Sequence, residues 1–180
     1  FPLIKDNKVW MGYSIHGGDR EFGVPDEYPL EASGTRIDEN GKKYIRVKGV
    51  RWYTNIDHGR RHNPLSLMSM ADNIKYSKHK DIQGKKYQHY DNYDAIEIPY
   101  TDAIPCDYEN LMGVPVTFLD KYCPEQFDII WQACGNTRAS APKEILDEVG
   151  YTIHPEDRGG CGVVNNKRQY ARILIRKKHL

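Results

Sequence analysis

Residues 111–130, LMGVPVTFLDKYCPEQFDII, constrain the fold of this chain more than any other stretch. Val114, Val116 and Phe118 alternate with Pro115, Thr117 and Leu119, a period of two with apolar residues on both sides, which predicts a strand buried on both faces. Gly113 and Pro115 open it, where a missing N–H harms a ladder least. A turn at Lys121-Tyr122-Cys123-Pro124-Glu125 leads to Phe127, Ile129 and Trp131, one face of a second strand. Local physics alone predicts a buried two-strand core element.

The other elements are read around that pair. Residues 1–6 look like the tail of a helix stopped at Asp6-Asn7. Residues 9–13 form a short strand, with 21–24 as its hairpin partner across a turn at His16-Gly17-Gly18-Asp19. Residues 25–40 read as a loop, and Asn40-Gly41 is a hairpin-turn signal. Along 43–48, Ile45 and Val47 face one way while Tyr44, Arg46 and Lys48 face the other, and 50–56 alternate again. A basic loop follows at 59–64, then a brief helix or apolar tether carrying Leu65, Leu67, Met68 and Met70. Residues 93–99 predict a strand with Ile96 and Ile98 inward. Residues 142–149 predict a helix with proline in its first turn and Gly150 just past its end. Residues 162–176 predict a terminal hairpin turned at Asn165-Asn166-Lys167. The fold class predicted is α+β, a strand-rich mixed domain.

Charge carries the first functional argument. The net charge is only +1, but residues 42–90 hold 12 Lys/Arg against 3 Asp/Glu. Residues 91–128 hold 9 acids against the single Lys121, and residues 167–178 hold 6 bases and no acid. Such segregation points to a polyanion on one face rather than to a solvated charged loop. Arg60, Arg61, Lys75, Lys78, Lys80, Lys85 and Lys86 are suited to neutralise phosphates. Tyr76, Tyr87 and Tyr90 lie among them, where they would bond to the backbone or stack on an extruded base. Arg60, Arg61, His62 and Asn63 also carry donors matched to guanine and adenine edges in a major groove. His58 and His62 stand four apart beside Asp57, but no third ligand is evident and no metal is expected.

A length of 180 residues suits one domain with a sizeable core. Mean hydropathy is −0.74, and no apolar run approaches the roughly 20 residues of a membrane span. The first residues, Phe1-Pro2-Leu3-Ile4-Lys5-Asp6, lack the basic and apolar regions of a signal peptide. Cys106, Cys123, Cys134 and Cys161 form no C-x-x-C pair, so reduced thiols and a cytoplasmic location are expected.

The 112–130 stretch, MGVPVTFLDKYCPEQFDII, resembles the late segment of EcoRI-type adenine-specific DNA methyltransferases. The resemblance extends to Trp52-Tyr53-Thr54-Asn55-Ile56-Asp57-His58, Tyr93-Asp94-Ala95-Ile96, Ile104-Pro105-Cys106-Asp107-Tyr108 and Tyr170-Ala171-Arg172-Ile173-Leu174-Ile175-Arg176, in the family's order. Cys123 stands where the family pattern has Asn, and Trp131-Gln132 replaces a Gly, so the loop 131–141 is the part least covered. The resemblance implies the C-terminal part of a Rossmann-like methyltransferase with its target-recognition region. Residues 1–30 would be the last strands or hairpin of the catalytic domain, and 31–180 the region that binds DNA. It implies methyl transfer from S-adenosylmethionine to adenine N6 with base flipping, double-stranded DNA as partner, and an N-terminal catalytic half of the same protein.

Neither a glycine-rich cofactor turn nor an Asn/Asp-Pro-Pro-aromatic loop occurs in the sequence, since Asn63-Pro64-Leu65 has one proline and no ring. No catalytic residue and no bound cofactor are therefore expected of this chain alone. The first residue is not methionine, and with the resemblance this leads to the expectation of a piece of a longer protein. Trp10, Tyr13 and Phe22 are carried over as walls of the target-base pocket, against the plainer role of core aromatics. A freestanding, non-enzymatic nucleic-acid-binding module is the alternative.

Overall fold

The computed structural model describes residues 1–12, 18–29 and 34–178. The chain forms two compact units, one of Trp10–Asn55 and one of Phe1–Val9 with Ile56–Leu180. It opens with α1 (Pro2–Lys5), one turn long and stopped at Asp6 and the left-handed Asn7, as predicted.

The smaller unit holds β1 (Trp10–Met11), β2 (Gly18–Val24), β3 (Thr35–Ile37), β4 (Lys43–Val50) and β5 (Tyr53–Thr54). Three of these form an antiparallel sheet in the order β2-β4-β3. The β3–β4 hairpin turns at Asn40-Gly41, where Gly41 has φ 79° and the Asp38 carboxylate accepts from the Asn40 and Lys42 amides at 3.0 and 2.9 Å. On one face Arg36 and Arg46 bond Glu21 and Asp19 at 2.7 and 2.8 Å, and the Arg36 guanidinium lies over Tyr44. These cross-strand pairs draw residues 21–24 to β4. The predicted pairing of 21–24 with 9–13 is therefore incorrect, for β1 pairs with β5 instead. Part of the expected loop 25–40 is β3, and of 50–56 only Val50, the end of β4, and Tyr53–Thr54 are strand, because Gly49 turns left-handed at φ 66° and redirects the chain. A division at residue 30 also falls inside this sheet, since β2 on one side of it pairs with β4 on the other.

The larger unit holds α2 (Met70–Tyr76), β6 (Ala95–Glu97), β7 (Leu111–Pro115), β8 (Phe127–Ala133), α3 (Thr137–Ser140), α4 (Lys143–Glu148), β9 (Val163–Val164), β10 (Lys167–Arg168) and β11 (Arg172–Lys177). Its main sheet runs β6-β7-β11-β8, with β6 parallel to β7 and the other pairs antiparallel. The two strands read as a core pair are thus separated by the last strand of the chain, and the terminal hairpin is only β9–β10, after which β11 enters the sheet. The predicted strand over 113–119 stops at Pro115. Residues Val116–Lys121 form a 3₁₀ helix that carries Phe118 and Leu119 into the core. The apolar content was read correctly and its period was not. Phe118 packs edge-on against Phe127, with ring centroids 5.4 Å apart. On another side, Leu111, Trp131, Ala133 and Leu174 cluster with Tyr90, Tyr93, Val149 and Val164. The helix predicted over 142–149 is α4, ended by Gly150 at φ 60°.

One buried polar group ties this sheet across three strands. Glu97 on β6 pairs with Gly113 of β7 and Arg172 on β11 pairs with Pro115, and the two side chains reach each other over β7, which separates them. Arg172 Nε and Nη2 donate to Glu97 Oε1 at 2.9 and 2.6 Å, and the Tyr90 hydroxyl donates to Oε2. The Tyr90 ring lies against Gly113 and Gly162, where a Cβ would overlap it. This is the physical reason for glycine in the Gly113-Val114-Pro115 motif. Overall the fold is mixed α/β with several small sheets.

Candidate nucleic-acid interface

The basic segment starts on α2, whose N-cap Ser69 accepts from the Asp72 amide at 3.0 Å and donates to its carboxylate. Asn73 on the helix is buried and donates to the Ala103 carbonyl at 3.4 Å. After Ser77 the chain turns back, with Gly84 at φ 73° donating its amide to Ile74 O and Ile82 sunk into the interior. It ends alongside β6, where His89 bridges Ile96 and the Glu97 amide donates to Gln88 O.

Two carboxylates hold this shape, Asp102 from the acidic stretch and Asp81 from within the basic segment. Asp102 accepts from Lys78 Nζ at 2.8 Å and lies 2.9 Å from His79 Nε2, while the His79 and Tyr100 rings stack 3.8 Å apart and 6° from parallel. Tyr100 donates to Asp81, which also faces Lys85 at 3.9 Å. The charge segregation along the sequence is thus partly neutralised in space. Lys75, Tyr76, Lys80 and Lys86 remain exposed, with Lys75 Nζ 4.8 Å from the centre of the Tyr76 ring. Beside them Ser66, Met68, Tyr76, Ser77, Lys78, His79 and Asp102 line a cleft of about 260 Å³.

The 3₁₀ turn Gly59–His62 is held from the PEQF motif. The Gln126 amide binds both the amide and carbonyl of Leu65, at 2.8 and 2.9 Å. Glu125 Oε1 lies 2.7 Å from His62 Nδ1, while Asp57 lies 2.9 Å from Nε2. Two carboxylates on one ring require both nitrogens to carry protons, so the hydrogen bond to Asp57, then that to Glu125, raises the His62 pKa above its ordinary 6.5. The carboxyl of Asp57 is lowered by His62, and that of Glu125 by the Cys123 thiol and then His62. The imidazolium contribution is complete below about pH 6.5 and fades as pH rises through the raised value. The carboxylate contributions fade as pH falls through the lowered ones. An NMR titration of the His62 ring should give a midpoint above 6.5, and Asp57→Asn should bring it down.

Three residues assigned to DNA contact are placed differently. Arg61 is 9% exposed and bonds Asp57 at 3.1 Å and Asn7, so it is part of the turn's framework. His62 has both ring nitrogens engaged by carboxylates. Tyr90, 6% exposed, belongs to the buried Glu97–Arg172 group and cannot stack on a base. Tyr87 is half-buried, its hydroxyl donating to Ala103 O at 2.6 Å and its pKa pushed by burial to about 12. Arg60 is half-buried, and Asn63 is exposed. Trp10 is half-buried in β1 and Phe22 exposed on β2, in different sheets, and Tyr13 lies outside the described residues. Among the described residues no group of three or more His, Cys, Asp or Glu side chains is arranged to hold a metal ion. The four cysteines are free, and no described helix is long and apolar enough to cross a membrane.

Comparison with known proteins adds to this geometry. Residues 1–178 match the family described as "Adenine-specific methyltransferase EcoRI". The whole chain is 38% identical to the Type II methyltransferase M.EcoRI of Escherichia coli, covering 46% of that protein. It is 33% identical to M.MgeORF184P of Mycoplasma genitalium and 26% identical to M.MpnI of Mycoplasma pneumoniae, both Type II methyltransferases, covering 53% and 52% of them. The chain therefore spans about half the length of these curated relatives. No solved structure matches it.

Proposed function

The chain belongs to the family of the adenine-specific methyltransferase EcoRI, and from that we propose that it supplies DNA target recognition to an S-adenosylmethionine-dependent enzyme that methylates adenine N6. It would be the C-terminal part of a Rossmann-like methyltransferase acting on double-stranded DNA in the cytoplasm, completed by an N-terminal catalytic half. The observation that carries the reading is the exposed set Lys75, Tyr76, Lys80 and Lys86, cations and a ring on an ordered segment, in a chain related to Type II DNA methyltransferases. Asn63 adds an exposed amide near the turn.

The residues described do not suit the cofactor itself. The turn from β8 into α3, Cys134-Gly135-Asn136, has one glycine and opens a helix of four residues, which is no glycine-rich cradle for S-adenosylmethionine. Its binding and the base-holding loop are assigned to the catalytic half, with the first strands, to about residue 30, contributing to that half. This is a division of role and not of packing. In this chain the work is electrostatic and positional. Exposed lysines replace counterions on phosphates, and the Asp81 and Asp102 carboxylates keep the lysine-bearing loop in one conformation before DNA arrives. The reading is tested by duplex binding, which should weaken steeply with salt.

A further inference from the structure

The 6 bases of residues 167–178 do not share one fate. Arg172 is committed to Glu97, Arg176 lies 3.2 Å from Glu148, Lys177 donates to Cys106 O at 2.7 Å, and Lys178 lies 3.1 Å from Asp128. Lys167 and Arg168 instead are exposed on β10, next to Asn165 and Asn166. Tyr170 follows at 88% exposure, and Arg168, Gln169 and Tyr170 line a shallow hollow of about 220 Å³.

We propose that the β9–β10 hairpin, with Tyr170, is a second DNA-contacting element that enters the major groove beside the basic segment; this rests on the recognition role given above. Three observations carry it. The first is shape. Asn165 and Asn166 have φ of 51° and 59°, the left-handed pair of a two-residue type I′ turn. The result is a narrow two-stranded ribbon, which a major groove admits. The second is rigidity. Asn92 is fully buried, accepts from the Val163 amide at 2.8 Å and donates to Cys161 O at 2.9 Å. Asp91 donates its amide to Val163 O and accepts from the Asn166 amide at 2.7 Å. The hairpin is therefore fixed from its base to its turn, so little order remains to be gained on binding.

The third is continuity. Asn165 Nδ2 donates to Gln88 Oε1 at 3.1 Å, and Gln88 Nε2 donates to Lys86 O at 3.0 Å, so the tip adjoins the exposed end of the basic segment. Lys167 and Arg168 would meet phosphates, the Asn166 side-chain carboxamide can bond an adenine edge, and the Tyr170 ring can lie on a sugar or an unstacked base.

The test compares dissociation constants of the chain for a mixed duplex of about 20 base pairs at about 0.1 M salt. Lys167→Gln with Arg168→Gln removes both charges while keeping polar side chains at exposed positions and should weaken binding about 10-fold or more, lowering the salt slope by about two. Tyr170→Ala should weaken it roughly 10-fold with little change in slope. Lys75→Ala with Lys80→Ala and Lys86→Ala is the comparison. If that variant weakens while the hairpin variants bind like the parent, the hairpin proposal is wrong and the recognition reading stands. If the parent chain does not bind at low salt, both fail.

Discussion

Replacing Arg172 by methionine is expected to lower stability by about 3–5 kcal/mol, the largest loss foreseen for any single substitution in this chain. The Arg172 and Glu97 side chains are only 12% and 10% exposed. Removing the guanidinium leaves a carboxylate in the interior with the Tyr90 hydroxyl as its only remaining partner among those described. A buried charge stripped of its partner is far costlier than the pair itself is favourable. Glu97→Gln in the same chain removes the orphaned charge, so the double variant should recover a large part of the loss. Thermal unfolding reads this as a fall in Tm of roughly 10 °C for the single variant, at a few degrees per kcal/mol. A double variant as unstable as the single one would show that packing, and not charge, dominates the site.

Gly113→Ala is expected to cost about 3 kcal/mol or more, although it adds one methyl group. The new Cβ would overlap the Tyr90 ring, and Gly162 closes the other approach to that ring. Tyr90 cannot simply move aside, because its hydroxyl is held by Glu97 and its ring contacts Tyr93 edge-on at 6.1 Å. Tyr90→Ala is costly by itself, but if the clash is the origin, Gly113→Ala should add little further loss in a Tyr90→Ala background. Urea unfolding of the single and double variants decides this, with non-additivity as the signature. A Gly113→Ala variant as stable as the parent would contradict the packing described for the Gly113-Val114-Pro115 motif.

Legibility in the sequence followed the range of the interaction. Asn40-Gly41, Asn165-Asn166 and Gly150 were correctly read as turns and a helix end, because left-handed backbone is a property of one or two residues. The place of β11 between β7 and β8 was not legible. All three are apolar on both faces, and nothing local to residues 111–130 records that a strand about 40 residues later separates them. The 3₁₀ helix Val116–Lys121 was missed because a short apolar run fits either period.

The site divides in the same way. Counting charges found the basic segment, but not that Asp102 and Glu125 would return to Lys78 and His62. Arg61, His62 and Tyr90 were assigned to DNA on residue type, and burial or pairing removed them. Lys167 and Arg168 were counted as basic yet not singled out. The two-residue asparagine turn beside them was the signal that they stand on an exposed ribbon.

The measurement that tests the central claim most directly is the salt dependence of duplex binding by the parent chain and by the variant with Lys75, Lys80 and Lys86 changed to Ala. The parent should bind at about 50 mM salt, lose roughly 100-fold or more by about 200 mM, and show a slope shallower by about three in the variant. Binding that is indifferent to salt, or a variant with the parent's slope, would contradict a DNA-recognition role for this face.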